Sequence, residues 1–351
     1  MPELLEIRSR IRDYYVTFGE LQASLERDLS RPAAVVIDER VAGLYADSLG
    51  PFRNDVPVLR VPAIESNKTV DFAQKVILWL LEHDFKRTHL LVAIGGGIVQ
   101  DLCCFAASIL FRGVDWSFHP TTLLAQCDSC IGSKSSINVG TFKNQVGTFF
   151  PPTRINVDVT FTRSLDHKDL LSGLGEAIKV HFLDSEQRFG QIFDLYDAAV
   201  TNPEVLERVI VESLRIKKRV IEADEFDRDY RNIMNYGHTF GHALESVTRY
   251  SIPHGIAVTV GMGVANYLSE RLGYLDRSTR DRMEQLLLKN VGRNHVVVAD
   301  LDAYWEALGR DKKNVDRDVT CILTRGFGQM FRTKISLSHE IRAIIREGLE
   351  G

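Results

Sequence analysis

No stretch of this 351-residue chain holds the roughly 18 consecutive apolar residues that a membrane-spanning helix needs. Neither sign of charge dominates: 43 Lys and Arg stand against 47 Asp and Glu, a formal net charge of −4. Without a broad basic face, nucleic acid and anionic membranes are not expected partners. The opening MPELLEIRSRIRDYY is charged throughout and lacks the apolar core of a secretory signal, so the expected location is the cytoplasm. Cysteine is scarce. Its five positions (Cys103, Cys104, Cys127, Cys130 and Cys321) are odd in number and read as reduced thiols, not a disulfide framework. Cys127-Asp-Ser-Cys130 has redox spacing, but no second CxxC accompanies it, and small buried filler is the preferred reading. Repeats and low-complexity tracts are missing too.

What is present is ordinary globular composition, 44% hydrophobic and 26% charged, at a length that predicts two domains. Ala33–Asp38 (AAVVID) reads as a buried strand, and Val56–Val61 as a weaker one interrupted by Pro57. An amphipathic helix is expected over Val70–His83, then a strand over His89–Ile94 bounded by Gly95-Gly96-Gly97, then a helix over Val99–Leu110. Further strands are expected at Trp116–Pro120 and Asn156–Val159. Strands alternating with helices predict a parallel α/β sheet. From Asp166 the texture turns helical: LLSGLGEAIKVHFL, Asn202–Asp224, Ile256–Leu272 and Arg280–Leu288, with strand signal only at Val296–Val298 and Val319–Leu323. The expected organisation is an α/β domain over 1–165 and a mostly α-helical domain over 166–351.

Four places carry chemistry. Strand, glycine turn and helix at Gly95–Gly97 is how backbone amides approach a pyrophosphate, although this is not GxGxxG and tight packing explains it equally well. Lys134, Lys143 and Asn144 lie in a Gly/Ser/Asn-rich segment expected to be surface loop, where they could hold a phosphate or simply be solvated. Glu176 and Lys179, three apart, share a helical face with apolar flanks. His238 and His242, four apart, share another, and His254 follows a turn at Pro253. The histidines are either part of a zinc site or a structural pair.

From Glu65 to Asp311-Lys312-Lys313 these residues resemble one family, the sugar phosphate cyclases, whose central member is 3-dehydroquinate synthase. The resemblance rests on Glu65-Ser-Asn-Lys68, Gly95-Gly-Gly-Ile-Val-Gln-Asp101, Phe111-Arg-Gly113, Pro120 to Asp128, Lys134, Lys143-Asn144, Glu176-Ala-Ile-Lys179, Ala223-Asp-Glu225, Arg231 to His242 and His254-Gly255. It implies a Rossmann-like N-terminal domain binding NAD through Asp38, Glu65, Lys68, Gly95, Gly96, Gly97, Asp101, Thr121 and Thr122. It implies a divalent metal, usually Zn2+ with Co2+ as an alternative, on Glu176, His238 and His254, and a substrate-binding His242. The implied reaction oxidises a secondary hydroxyl transiently, eliminates phosphate, returns the hydride and closes a carbocycle by intramolecular aldol addition. Lys134, Asn144 and one of Lys312 and Lys313 would position phosphate, with Asp128, Lys143 and Lys179 completing the polar wall. Arg112 would reach a partner's site in a homodimer. Arg231 and Lys217, with Asn235 one turn on from Arg231, match the positions that hold a substrate carboxylate, so the expected substrate is a 3-deoxy-2-ulosonic acid phosphate. A cyclase of a sugar phosphate lacking that carboxylate (sedoheptulose 7-phosphate or glucose 6-phosphate) is the rival within the family, and a metal-dependent polyol dehydrogenase the rival outside it. The chain departs from the family pattern at Gln100, Cys130, Ser133, Ser135, Phe142 and Ile256. These changes are expected to crowd the phosphate and metal loops and mark a divergent member.

Overall fold

The computed structural model describes residues 4–46, 56–140, 142–291, 298, 300–309 and 318–350. The chain forms two compact units. One comprises Met1–Leu165 with Lys217–Phe226, the other Asp166–Ile216 with Asp227–Gly351.

In the first unit the elements run β1 (Leu4–Ile7), β2 (Tyr14–Phe18), α1 (Leu21–Asp28), β3 (Ala33–Asp38), α2 (Glu39–Leu44), β4 (Val58–Val61), α3 (Val70–Glu82), β5 (Leu90–Gly95), α4 (Gly97–Ile109), β6 (Trp116–Pro120), β7 (Ile137–Val139), β8 (Phe142–Val146) and β9 (Arg154–Val157). Seven strands make one sheet in the order β1-β2-β9-β6-β5-β3-β4, parallel throughout except for the β1–β2 edge. Strands β3 and β5 are apolar runs because helices cover both faces: Val35, Val36, Ile37, Leu91, Val92, Ala93 and Ile94 are sealed from solvent. The chain leaves β3 in one direction for β4, then returns to place β5 and β6 on the other side. That reversal makes the carboxyl ends of β3 and β5 a topological switch point, where open α/β sheets bind ligands. Asp38 is level with Val61 across one pair, and Gly95 with Pro120 across another. Thr69 caps α3, its hydroxyl accepting from the Phe72 amide at 3.2 Å.

Two features differ from expectation. The charged opening is a strand pair: its alternate residues Leu5, Ile7, Tyr14, Val16 and Phe18 are buried, a two-residue period hidden among charges. The segment after Cys130 is no surface loop. Residues 130–138 are largely buried and lead into a β7–β8 hairpin. Phe142, expected to crowd that region, is 68% exposed.

The second unit is built from α5 (His167–Asp184), α6 (Glu186–Ala199), most of α7 (Pro203–Ala223), α8 (His238–Val247), α9 (His254–Arg271), α10 (Arg277–Val291), α11 (Leu301–Gly309), the hairpin β10 (Asp318–Thr324) and β11 (Met330–Ser336), and α12 (His339–Glu350). The last turns of α7, from Lys217, belong to the first unit. Helix α5 is buried on every side from Leu171 to Leu183, the mark of a central helix. Among the described residues, strand is absent at Val298; Val296 and Val297 lie outside them. Among the described residues no helix is long and apolar enough to cross a membrane.

Candidate active site

The carboxyl edge of the sheet gathers most of the residues expected to hold a dinucleotide. Asp38 ends β3 and accepts from the Arg40 amide at 2.9 Å; partial burial raises its carboxyl above the usual range. Gly95 and Gly96 form the turn into α4, and Thr121 follows β6 with its amide donating to the Gly95 carbonyl at 2.9 Å. A Cβ on Gly96 would come within 2.9 Å of the Thr122 methyl, so the turn has room for backbone only. Beside it Lys68, buried, donates to Asn144 Oδ1 at 2.8 Å and pairs with Asp101 at 3.1 Å. Burial drives the Asp101 carboxyl up to about 6 despite that ammonium, and its Oδ1 accepts from the Ser136 amide at 2.9 Å. Glu65 meets Lys143 at 3.4 Å and Asn138 Nδ2 at 2.9 Å. Asn138 also takes the Asn144 amide at 2.9 Å, holding Asn144 at φ 54°, a left-handed conformation that asparagine tolerates. Asn138 thus ties Glu65 to the Lys143-Asn144 turn, and the sequence reading missed it.

In the same unit Asp128 lies in a π-helical turn over Ala125–Ser129, a local widening frequent at functional sites. Lys217 holds it, 3.0 Å from its carboxylate and 2.5 Å from its carbonyl. Gln100, where the family pattern has glycine, fixes the same turn: its Nε2 donates to the Ser129 carbonyl at 2.6 Å and its Oε1 accepts from Ser129 Oγ at 2.7 Å. Lys134 reaches over the Phe149 ring, 5.8 Å from its centre. All five cysteines are free and buried, and burial pushes the Cys130 thiol up to about 12, which suits packing and not redox work. Arg112 is exposed, at φ 62°.

The second unit assembles Glu176, Lys179 and the histidines. Glu176 is buried in α5; one oxygen is taken by Lys179 and the other, Oε1, has no hydrogen-bond partner. That oxygen lies 3.8 Å from His238 Nε2 and 3.5 Å from His254 Nε2. Ring nitrogens of His238, His242 and His254 lie within 4.8 Å of one another. Glycines allow this convergence. A Cβ on Gly175 would overlap the Gly255 carbonyl, and one on Gly255 the Ser172 carbonyl, so α5 and α9 touch backbone to backbone beside Glu176 and His254. Gly237, at φ 79°, turns the chain into α8 just before His238.

Two of the rings are oriented from behind. His238 Nδ1 faces the Tyr236 carbonyl at 3.2 Å and His254 Nδ1 the Glu245 carboxylate at 3.2 Å. Burial, reinforced by the Lys179 charge, holds His238 well below its ordinary pKa and so neutral. Enclosure lowers His254 as well, but Glu245 outweighs it and the net shift is upward. Glu245 was overlooked in the sequence, although it continues the His238–His242 stripe at i+7. Arg231 is buried in the short 3-10 helix Tyr230–Asn235 ahead of His238, and Asn235 donates to the Asn232 carbonyl at 3.1 Å. Ile256 is buried in α9. Lys312 and Lys313 lie outside the described residues.

Known proteins share this arrangement of parts. Residues 58–172 match the family model for the N-terminal region of 3-dehydroquinate synthase and residues 173–314 the model for its C-terminal region. A 3-dehydroquinate synthase of Campylobacter curvus is 32% identical over 346 residues, 98% of each chain. One of Helicobacter pylori is 36% identical over 323 residues, 90% of this chain and 91% of its own. Among solved structures, the 2-epi-5-epi-valiolone synthase of Streptomyces hygroscopicus, with NAD+ and Zn2+ bound, superposes with a TM-score of 0.85 at 25% identity over 98% of both chains. A 2-deoxy-scyllo-inosose synthase does so with a TM-score of 0.84 at 26% identity over 99% of this chain and 100% of its own. A glycerol dehydrogenase of Schizosaccharomyces pombe, at 14% identity and a TM-score of 0.61, over 94% of this chain and 85% of its own, shares the fold alone. With both halves matched and relatives above 30% identity along nearly the whole length, the chain belongs to the 3-dehydroquinate synthase family.

Proposed function

We propose that this protein is a cytoplasmic, carbon–oxygen-cleaving cyclase that takes a 3-deoxy-2-ulosonic acid phosphate. The simplest is 3-deoxy-D-arabino-heptulosonate 7-phosphate, which it converts to 3-dehydroquinate or an analogue with loss of phosphate. NAD and a divalent cation, Zn2+ or Co2+, would be its cofactors. The observation that carries this reading is the orphaned Glu176 Oε1, buried and aimed between two Nε2 atoms at 3.5 and 3.8 Å. Those spacings are too long for hydrogen bonds, yet two donors each 2.0–2.1 Å from a tetrahedral Zn2+ would stand about 3.4 Å apart. A carboxylate and two imidazole nitrogens therefore fit the ion. The Gly95–Gly96 turn, closed to any Cβ at Gly96 and set at the switch point with Asp38, fits a dinucleotide.

When bound, NAD supplies a returnable hydride acceptor and the cation acidifies a substrate hydroxyl. The chain's own residues do the rest. Lys179 occupies the second oxygen of Glu176 and holds the other one in place. Lys68, pinned between Asp101 and Asn144, fixes the wall beside the dinucleotide turn. Lys134 and Asn144, with one of Lys312 and Lys313, would orient the departing phosphate, Asp128, Lys143 and Lys179 would complete the polar wall, and His242 would hydrogen-bond substrate. Arg231 and Lys217, with Asn235, would hold the carboxylate, a role suited to a guanidinium fork. Arg112 would serve a second copy of the chain in a homodimer.

Phosphate release from the heptulosonate phosphate, sedoheptulose 7-phosphate and glucose 6-phosphate, each with NAD and Zn2+, tests the substrate choice. Turnover of the first, lost in Arg231→Ala, is the expected result. Turnover undiminished in that variant, or confined to the sugars without a carboxylate, would favour the second reading, a valiolone- or inosose-forming cyclase.

A further inference from the structure

We propose that Glu245 is a positioning residue that sets the tautomer and angle of His254, leaving Nε2 of that ring as a ready metal donor. The inference rests on the metal reading above and concerns a residue that this reading does not use. Both carboxylate oxygens of Glu245 face His254 Nδ1, at 3.3 and 3.2 Å, while the opposite nitrogen stands 3.5 Å from Glu176 Oε1. A free imidazole exchanges its proton between the two nitrogens. A carboxylate at Nδ1 keeps the proton there and the lone pair on Nε2, and it makes the ring a stronger ligand.

The two histidines are oriented by different means. His238 leans on a main-chain carbonyl of its own turn, Tyr236 at 3.2 Å. His254 is the first residue of α9, directly after Pro253, and its side chain is 32% exposed. The restraint on its Nδ1 arrives from α8, on a Glu245 side chain that is only 12% exposed. His238, His242 and Glu245 occupy positions i, i+4 and i+7 of α8, so a single helical face supplies two imidazoles and the carboxylate that aims a third.

Zinc affinity, measured by competition with a chromogenic chelator, tests this in a double-mutant cycle of wild type, Glu245→Gln, His254→Ala and the pair. Glu245→Gln keeps the side chain's shape and removes its charge; affinity is expected to fall about 10–100-fold. In the His254→Ala background the same change is expected to cost nothing further, because the ring it positions is gone. The thermal midpoint of the metal-free Gln variant should match that of the metal-free wild type, which a merely structural ion pair would not allow. Unchanged affinity in Glu245→Gln, or the same loss in both backgrounds, overturns the proposal. Equal affinity of wild type and His254→Ala would instead overturn the metal reading beneath it. Should the Gln variant not fold, Glu245→Asp withdraws the oxygens by one methylene. Weakened zinc binding there supports the proposal, and unchanged binding refutes it.

Discussion

Lys217 Nζ lies 3.0 Å from the carboxylate of Asp128 and 2.5 Å from its carbonyl oxygen, so one ammonium holds both ends of a residue in the π-helical turn. Lys217 is 7% exposed and Asp128 17%, so the pair is shielded from screening. Lys217→Met would take the ammonium away from a largely buried carboxylate, and a loss of about 2–4 kcal/mol is expected in urea melts. Adding Asp128→Asn should recover part of that stability. Phosphate release should stay lost in both variants, because both lack Lys217, which the proposed function sets on the substrate carboxylate.

The backbone contact between α5 and α9 makes a contrasting pair of glycines. Gly255→Ala forces a methyl into the Ser172 carbonyl, so the helices must separate. Destabilisation of about 3 kcal/mol is expected, together with weaker zinc binding, since Glu176 and His254 ride on the two helices. Gly190 in α6 has nothing within 4 Å, and Gly190→Ala should stabilise by about 0.5–1 kcal/mol. Thermal melts of the two variants decide the matter; equal effects would contradict the packing described.

Acid sensitivity is expected from His181. Burial lowers its pKa to about 4, with Nδ1 donating to the Ala177 carbonyl at 2.8 Å. The unfolded chain, near 6.5, binds the proton more tightly than the folded one. Stability from this group is therefore full above about pH 6.5 and drains away as pH falls toward about 4, by roughly 3 kcal/mol in all. His181→Gln should flatten the fall in thermal midpoint across that window relative to wild type. Identical slopes would mean that the ring is not buried neutral.

The sequence made the α/β half legible where burial was two-sided. Ala33–Asp38 and the run ending at Gly95 are continuous apolar strands, and the glycine turn marks the end of one of them. Strands β1 and β2 escaped because their apolar period is masked by exposed Glu6 and Tyr15 at an antiparallel edge. The β7–β8 hairpin escaped because its strands are short and lie in a Gly/Asn/Lys-rich stretch, and Asn138 steadies it through side-chain bonds to Glu65 and Asn144, 73 and 6 positions away. Histidine spacing on α8 was visible within one turn. The help that Glu176 and Glu245 give to His254 depends on packing between helices, which no local period records.

The central claim is a cyclase that consumes no NAD. Following phosphate and nicotinamide absorbance together, in one sample with heptulosonate phosphate, catalytic NAD and Zn2+, tests it most directly. Many phosphates released per NAD with no net rise in NADH is the expected record. NADH climbing in step with substrate loss, or no phosphate at all, would contradict it and return the chain to the dehydrogenases that share its fold.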